Sequence, residues 1–297
     1  MKRIIFLLIF ILLGLFLILS FLDKSHYALE KSFWYLKKDF VRLANDPKSF
    51  PDQEFTSLAR RFDQLIATYP ESALNGQILL QKGLVYGLMQ DFEAARETFR
   101  KVLTLYPKDE LLNVDALFQI GRSYEGEDKP LEAIKMYQTI TDKYPLTVTG
   151  IKMPLYTANY YERLNDPIRA QHAFGKAADF YRNIYEGHSD TPIGYMALGF
   201  QATAYLAQQD WERSLDVLER LLLDFPRLHA ASDPQGPFLV KTINNVALDQ
   251  LKNVSRAIAI YQKFIAQYPQ HPFCSGLEKL IDKLAAIQSQ NPEVMRE

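Results

Sequence analysis

The residues able to do chemistry are few and scattered. The five histidines (His26, His172, His188, His229 and His271) show no HExxH or other ligand spacing. The single cysteine, Cys274, excludes an internal disulfide and any CxxC metal or redox motif. There is no GxSxG, Walker loop or GxGxxG. His188 and Asp190 in "EGHSDTP" could make a metal or acid–base pair, but the segment reads better as a hydrophilic turn. "NVS" at Asn253 matches a glycosylation sequon, and Ser255 within it is more simply a helix-start residue. The reading is of a protein without catalysis, cofactor or metal. Its composition is foldable, 48% hydrophobic with 13 Gly and 15 Pro among 297 residues. A formal net charge of −1 leaves no electrostatic footprint for nucleic acid.

What the sequence does contain is punctuation. Tyr-Pro closes "LIATYP" (Pro70), "VLTLYP" (Pro107), "TDKYP" (Pro145) and "FIAQYP" (Pro269), and "LLLDFP" (Pro226) is a near copy. The steps between these prolines are 37, 38, 81 and 43 residues, and the 81 hides one further unit. Gly83, Tyr86, Ala95, Phe99 and Pro107 recur as Gly121, Tyr124, Ala133, Tyr137 and Pro145, each 38 residues on. The next units give Ala158, Tyr161, Ala170 and Phe174, then Arg182 in place of the proline, and Ala202, Tyr205, Ser214, Leu218 and Pro226. In the last, Asn245 stands where a small residue is expected.

Each position has a physical task. The first small residue lets a neighbouring helix approach, and the aromatic three later lies beside it on the same face. A polar turn reverses the chain. The second small residue marks the tight crossing of the second helix, whose aromatic four later packs into the adjoining groove. Proline then ends that helix, having no amide proton and disfavouring helical geometry in the residue before it. The pattern predicts five helical hairpins and a sixth at the N-terminal end.

These residues resemble the tetratricopeptide repeat family over about residues 45 to 270, with longer units like those of membrane-anchored bacterial envelope members. The resemblance implies an all-α solenoid of antiparallel hairpins that binds protein partners, a peptide or helix, in a concave groove. Family contacts fall just after the first small residue and three and six before it. Here those are Leu84, Arg122, Asn159 and Thr203, then Leu80, Phe118, Leu155 and Gly199, then Gln77, Asp115, Lys152 and Met196. Arg122, Lys152 and Asn159 are the expected holders of a carboxylate or peptide backbone, with Phe118 and Leu155 gripping apolar side chains and Thr203 beside them. The connections 183–194 and 225–238 are further candidates for partner contact. The alternative is a carbohydrate- or polymer-binding or processing protein framed by the array. Its candidate acids are Glu125 and Glu162, equivalent positions in successive units.

The N-terminus is a separate element. Ile4 to Leu22 is a run of 19 uncharged, almost wholly apolar residues, about 28 Å as a helix and enough to span a bilayer core. Cleavage wants small residues, and "LILSFLD" offers only Ser20; no cysteine follows, so a lipoprotein signal is excluded. Residues 1–22 are therefore expected to be an uncleaved signal anchor, with Lys2 and Arg3 on the cytoplasmic side. The remainder then lies outside the inner membrane as a single-pass protein, in the periplasm of a bacterium. Residues 23–70 are expected to continue from the anchor as a hairpin, 71–269 to hold the repeats, and 270–297 to form a capping helix and polar tail. Leu29, Phe33, Leu36, Phe40 and Leu43 make one apolar stripe, to be packed on Phe55, Leu58, Phe62 and Leu65.

Overall fold

A proline that cannot join a helix leaves its mark on the residue before it. Tyr69, Tyr106, Tyr144, Phe225 and Tyr268 each follow the last helical residue, with φ between −124° and −132° and ψ between 45° and 64°. The five aromatic-proline pairs are helix stops, for the steric reason their spacing suggested.

In a computed structural model of the protein, residues 26–226 and 235–290 are described. Their regular elements are all helical and pair in chain order. The hairpins are α1 (His26–Asn45) with α2 (Asp52–Thr68), α3 (Asn75–Leu88) with α4 (Phe92–Leu105), and α5 (Glu110–Gly126) with α6 (Pro130–Lys143). There follow α7 (Met153–Arg163) with α8 (Pro167–His188), α9 (Pro192–Ala207) with α10 (Trp211–Asp224), and α11 (Gln235–Asn244) with α12 (Val254–Gln267); α13 (Cys274–Gln290) comes last. The chain divides into two compact units, one up to Tyr144 and one from Pro145.

The starts of the second helices are as regular as their ends. Asp91, Asp166, Asp210 and Asn253 each accept, on a side-chain oxygen, the backbone N–H three residues on, at 3.0–3.1 Å. Asn253, not Ser255, is thus the helix-start residue of its segment. The residue before each of these caps, and before Lys129 at the same place, is left-handed: Gln90, Asp128, Asn165, Gln209 and Lys252 have φ from 53° to 59°.

Within the first unit the apolar stripe of α1 is buried, with Leu29, Phe33, Leu36 and Leu43 sharing a core with Phe55, Leu58, Phe62 and Leu65 of α2. The next hairpins show why glycine recurs. A Cβ on Gly83 would lie 2.4 Å from the ring of Phe99, and one on Gly121 would lie 2.4 Å from the ring of Tyr137. The aromatic of the second helix seats directly on the glycine of the first. Between α4 and α5, the buried Arg96 donates to Glu127 at 2.8 Å and to Glu93, with its guanidinium 4.6 Å above the Tyr124 ring.

In the second unit Tyr181, fully buried on α8, donates its hydroxyl to the Ile151 carbonyl at 2.8 Å. The missing proline has a visible effect. With Arg182 in its place α8 runs on to His188, 22 residues against 14 for α4, α6, α10 and α12. The segment 183–194, expected as a long connection, is therefore helix at both ends, and only Ser189 to Thr191 link α8 to α9. Gly194 permits this short turn, since a Cβ there would meet the His188 carbonyl oxygen at 2.1 Å. Most of the connection 225–238 lies outside the described residues, and α11 already begins at Gln235.

A second departure is at Asn245. Here α11 widens into a π turn, Asn245–Gln250, closed by the Leu251 N–H donating to the Val246 carbonyl. The turn leaves Asn245 exposed and buries Val246 and Ala247, so Ala247 supplies the small buried residue of this hairpin. Among the described residues no helix is long and apolar enough to cross a membrane; the expected span, Ile4 to Leu22, lies outside them.

Candidate functional site

First helices carry the positions that the sequence resemblance marked for ligand contact. In the first unit, Phe118 and Arg122 lie one turn apart on α5. The Phe118 ring is half-buried, its centroid 5.8 Å from that of Tyr137, while Arg122 is exposed with its Nε 3.7 Å from Glu125. Glu125 in turn accepts the Tyr137 hydroxyl at 2.8 Å. Its carboxylate is thereby tied to the hairpin it belongs to. Leu80 and Leu84 of α3 are half-buried, and Gln77 and Asp115 exposed.

In the second unit, Lys152 is exposed on a short 3₁₀ turn (Gly150–Lys152) that leads into α7, and Asn159 and Glu162 are exposed on α7 itself. Leu155, expected to grip a ligand, is 8% exposed and joins the core with Phe174 and Tyr181. The helix α7 rotates this side chain inward while its neighbours four and seven residues on face out.

The marked residues stand on separate first helices, Phe118 and Arg122 on α5, Asn159 on α7 and Thr203 on α9, and those of α9 line a cleft. Met196, Gly199 and Thr203 line one side of an apolar cleft of about 430 Å³, with Tyr195 and Phe200 of the same helix. Its floor includes Leu218 and Leu221 of α10, and its far wall is Phe238, Leu239 and Thr242 of α11. The two threonine hydroxyls are turned back to their own helices: Thr203 donates to the Gly199 carbonyl at 2.9 Å and Thr242 to the Phe238 carbonyl at 3.0 Å. The cleft thus presents methyl, aliphatic and aromatic surface. Phe238, 71% exposed at its edge, is a large apolar side chain with most of its ring in water.

The far wall escaped the sequence reading, although a signal for it existed. Leu239 and Thr242 stand six and three residues before Asn245, the same offsets as Met196 and Gly199 before Ala202. Asn245 is not a small residue, so the recurrence of small residues does not by itself extend the register to this hairpin. Among the described residues no three His, Cys, Asp or Glu side chains are grouped so as to hold a metal ion.

No curated protein matches the chain. The solved structures similar to it include a tetratricopeptide repeat protein from Parabacteroides merdae, at 14% identity over 90% of this chain and 94% of that one, TM-score 0.39. A thermophilic protein of the same kind from Thermus thermophilus is similar at 15% identity over 71% and 99%, TM-score 0.36. The TPR2AB-domain:pHSP90 complex of yeast Sti1 is similar at 10% identity over 88% and 98%, TM-score 0.34. Models of the family described as tetratricopeptide repeat match residues 76–109, 115–147, 197–226 and 246–271. The proline-stopped hairpins of this chain are, in these four segments, matches to tetratricopeptide repeats.

Proposed function

We propose that the protein is a membrane-anchored adaptor of the cell envelope that binds other proteins through its repeats and catalyses no reaction. The observation that carries the binding site is the cleft between α9 and α11, whose lining includes the contact positions Met196, Gly199 and Thr203 of α9 with Leu239 and Thr242 of α11, and whose edge exposes Phe238. With both threonine hydroxyls internally bonded, the cleft favours an apolar side chain projecting from a partner peptide or helix. Anchoring follows from the apolar run Ile4–Leu22 and its basic head, and export of the repeats from the orientation those charges favour.

The test is site-specific photocrosslinking in membranes. A photoreactive residue at Phe238 is expected to capture a discrete partner, and one at Lys279, exposed on α13, is not. Adding Thr203→Arg, which places a charge and a long side chain in the cleft, is expected to abolish the product. A product that persists with Thr203→Arg would refute the cleft as the partner site.

A further inference from the structure

The face of α1 opposite its buried stripe has an unusual composition. Tyr27, Lys31, Trp34, Lys38 and Val41 follow one another at steps of 4, 3, 4 and 3, with Tyr35 alongside, and all six are exposed. Tyr27, Trp34, Tyr35 and Val41 are 68%, 54%, 49% and 54% exposed, the densest run of exposed large apolar side chains on any described helix. They do not stand apart from one another: the Trp34 and Tyr35 rings meet edge to face at 4.9 Å, and the Lys38 ammonium lies 5.6 Å from the Trp34 ring. Of the acids of α1, the exposed Glu30 lies at one edge of this face, one turn before Trp34 and 3.3 Å from His26, and Asp39 on the other flank is paired with Arg61 at 2.6 Å. The third basic residue near this face, Arg42, is paired with Glu54. Lys31 and Lys38 have no carboxylate partner among the described residues, so the face sets these two lysines among its aromatic rings against the single exposed acid Glu30.

Tryptophan and tyrosine flanked by lysine are the residues that settle where hydrocarbon gives way to lipid headgroups. Position in the chain points the same way. The apolar run ends at Leu22 and α1 begins at His26, so a chain anchored by that run presents this helix first at the membrane surface. We propose that the outer face of α1 docks on the surface of an anionic bilayer, with Trp34 and the tyrosines at headgroup depth and Lys31 and Lys38 on lipid phosphates. The first hairpin is then held against the membrane side-on. This rests on the anchor reading above, and the experiment separates the two.

The full chain carrying Trp211→Phe retains Trp34 as its one tryptophan. It is reconstituted into vesicles of phosphatidylcholine alone, or of phosphatidylcholine with phosphatidylglycerol, with brominated acyl chains as quencher. Flotation reads the anchor; quenching of Trp34 reads the docked face. The expected result is flotation with both lipids and quenching that is strong only with the anionic one. A lysine close to an anionic surface is worth about fivefold in binding, so Lys31→Gln with Lys38→Gln should lower the docked-to-undocked ratio by roughly 25-fold. Flotation must be unchanged in that variant. Vesicles that float with Trp34 unquenched in both lipids overturn the docking and leave the anchor standing. Trp34 shielded from aqueous iodide yet unquenched by bromolipid assigns the face to a second copy or a protein and likewise overturns it. Failure to float overturns the anchor and the docking together.

Discussion

Two glycines one hairpin apart should respond differently to the same substitution. Gly121 on α5 faces the ring of Tyr137: a Cβ there falls 2.4 Å from one ring carbon and 2.8 Å from the next. Ordinary contact needs about 3.4 Å or more, so the ring must retreat by about 1 Å. It has nowhere to go, because Tyr137 is fully buried and its hydroxyl is held by Glu125. Overpacking of this kind costs about 1–3 kcal/mol. Gly87 on α3 has nothing within 4 Å of the same added atom. Both sites are helical, Gly87 in the last turn of α3, so each alanine gains up to about 1 kcal/mol of helix propensity, and most of this term cancels in the comparison. Gly87→Ala should therefore be neutral to stabilising, and Gly121→Ala should lie about 1–3 kcal/mol below it. At roughly 3 °C per kcal/mol for a chain of this size, thermal melts followed by circular dichroism should separate the variants by about 3–9 °C. Equal midpoints would refute the argument that the recurring glycine exists to seat the aromatic.

Arg182→Pro restores the stop that this hairpin lacks and should cost about 3 kcal/mol or more, because α8 continues through that position and carries the buried Tyr185 beyond it. Arg182→Ala, which removes only the exposed pair with Asp179, should cost under about 1 kcal/mol, and urea denaturation of both distinguishes backbone from charge. Gln209→Gly relieves a left-handed residue with φ 58° and should raise stability by about 0.5–1 kcal/mol, whereas glycine at Gln208, with φ −79°, should lower it. The Arg96 guanidinium, followed by Lys129, holds the Glu127 carboxyl below the usual carboxylate range. A depressed value stabilises the fold above the ordinary carboxylate range and is lost as pH falls through it. Melting midpoints of the wild type should fall on acidification, and those of Glu127→Gln should start lower at neutral pH and converge with them in acid.

The hairpins were legible because their signals are local and steric. Proline after an aromatic ends a helix wherever it stands, and a glycine 16 residues before an aromatic reports a contact between two helices of one hairpin. What stayed hidden depends on more than residue type. The extension of α8 could be inferred only from a missing proline, and 183–194 looked like a loop because it is rich in turn formers. The left-handed residues are Gln, Asp, Asn, Gln and Lys, none of them glycine, so composition did not announce them. The cleft was half legible. Met196, Gly199 and Thr203 were marked, but its far wall depends on the register of α11, which the π turn disguises at Asn245. Leu155 shares its offset with Gly199, yet the turn of α7 buries it.

The regular turn has a kinetic consequence. Stop, left-handed residue and cap all lie within a few residues of the helices they join, so a hairpin closes without waiting for distant chain. Bonds between successive hairpins reach only about one repeat further: Tyr185 donates to Asp224 across 39 residues and Tyr268 to the Leu223 carbonyl across 45. Such low contact order favours fast folding that can start at any hairpin and spread to its neighbours. For a chain emerging N-terminus first, each hairpin within a unit can form and dock on the one before it as soon as some forty further residues have been made. The array then never needs to be unfolded along its whole length at once, which keeps the apolar faces of unpaired helices from meeting one another during synthesis.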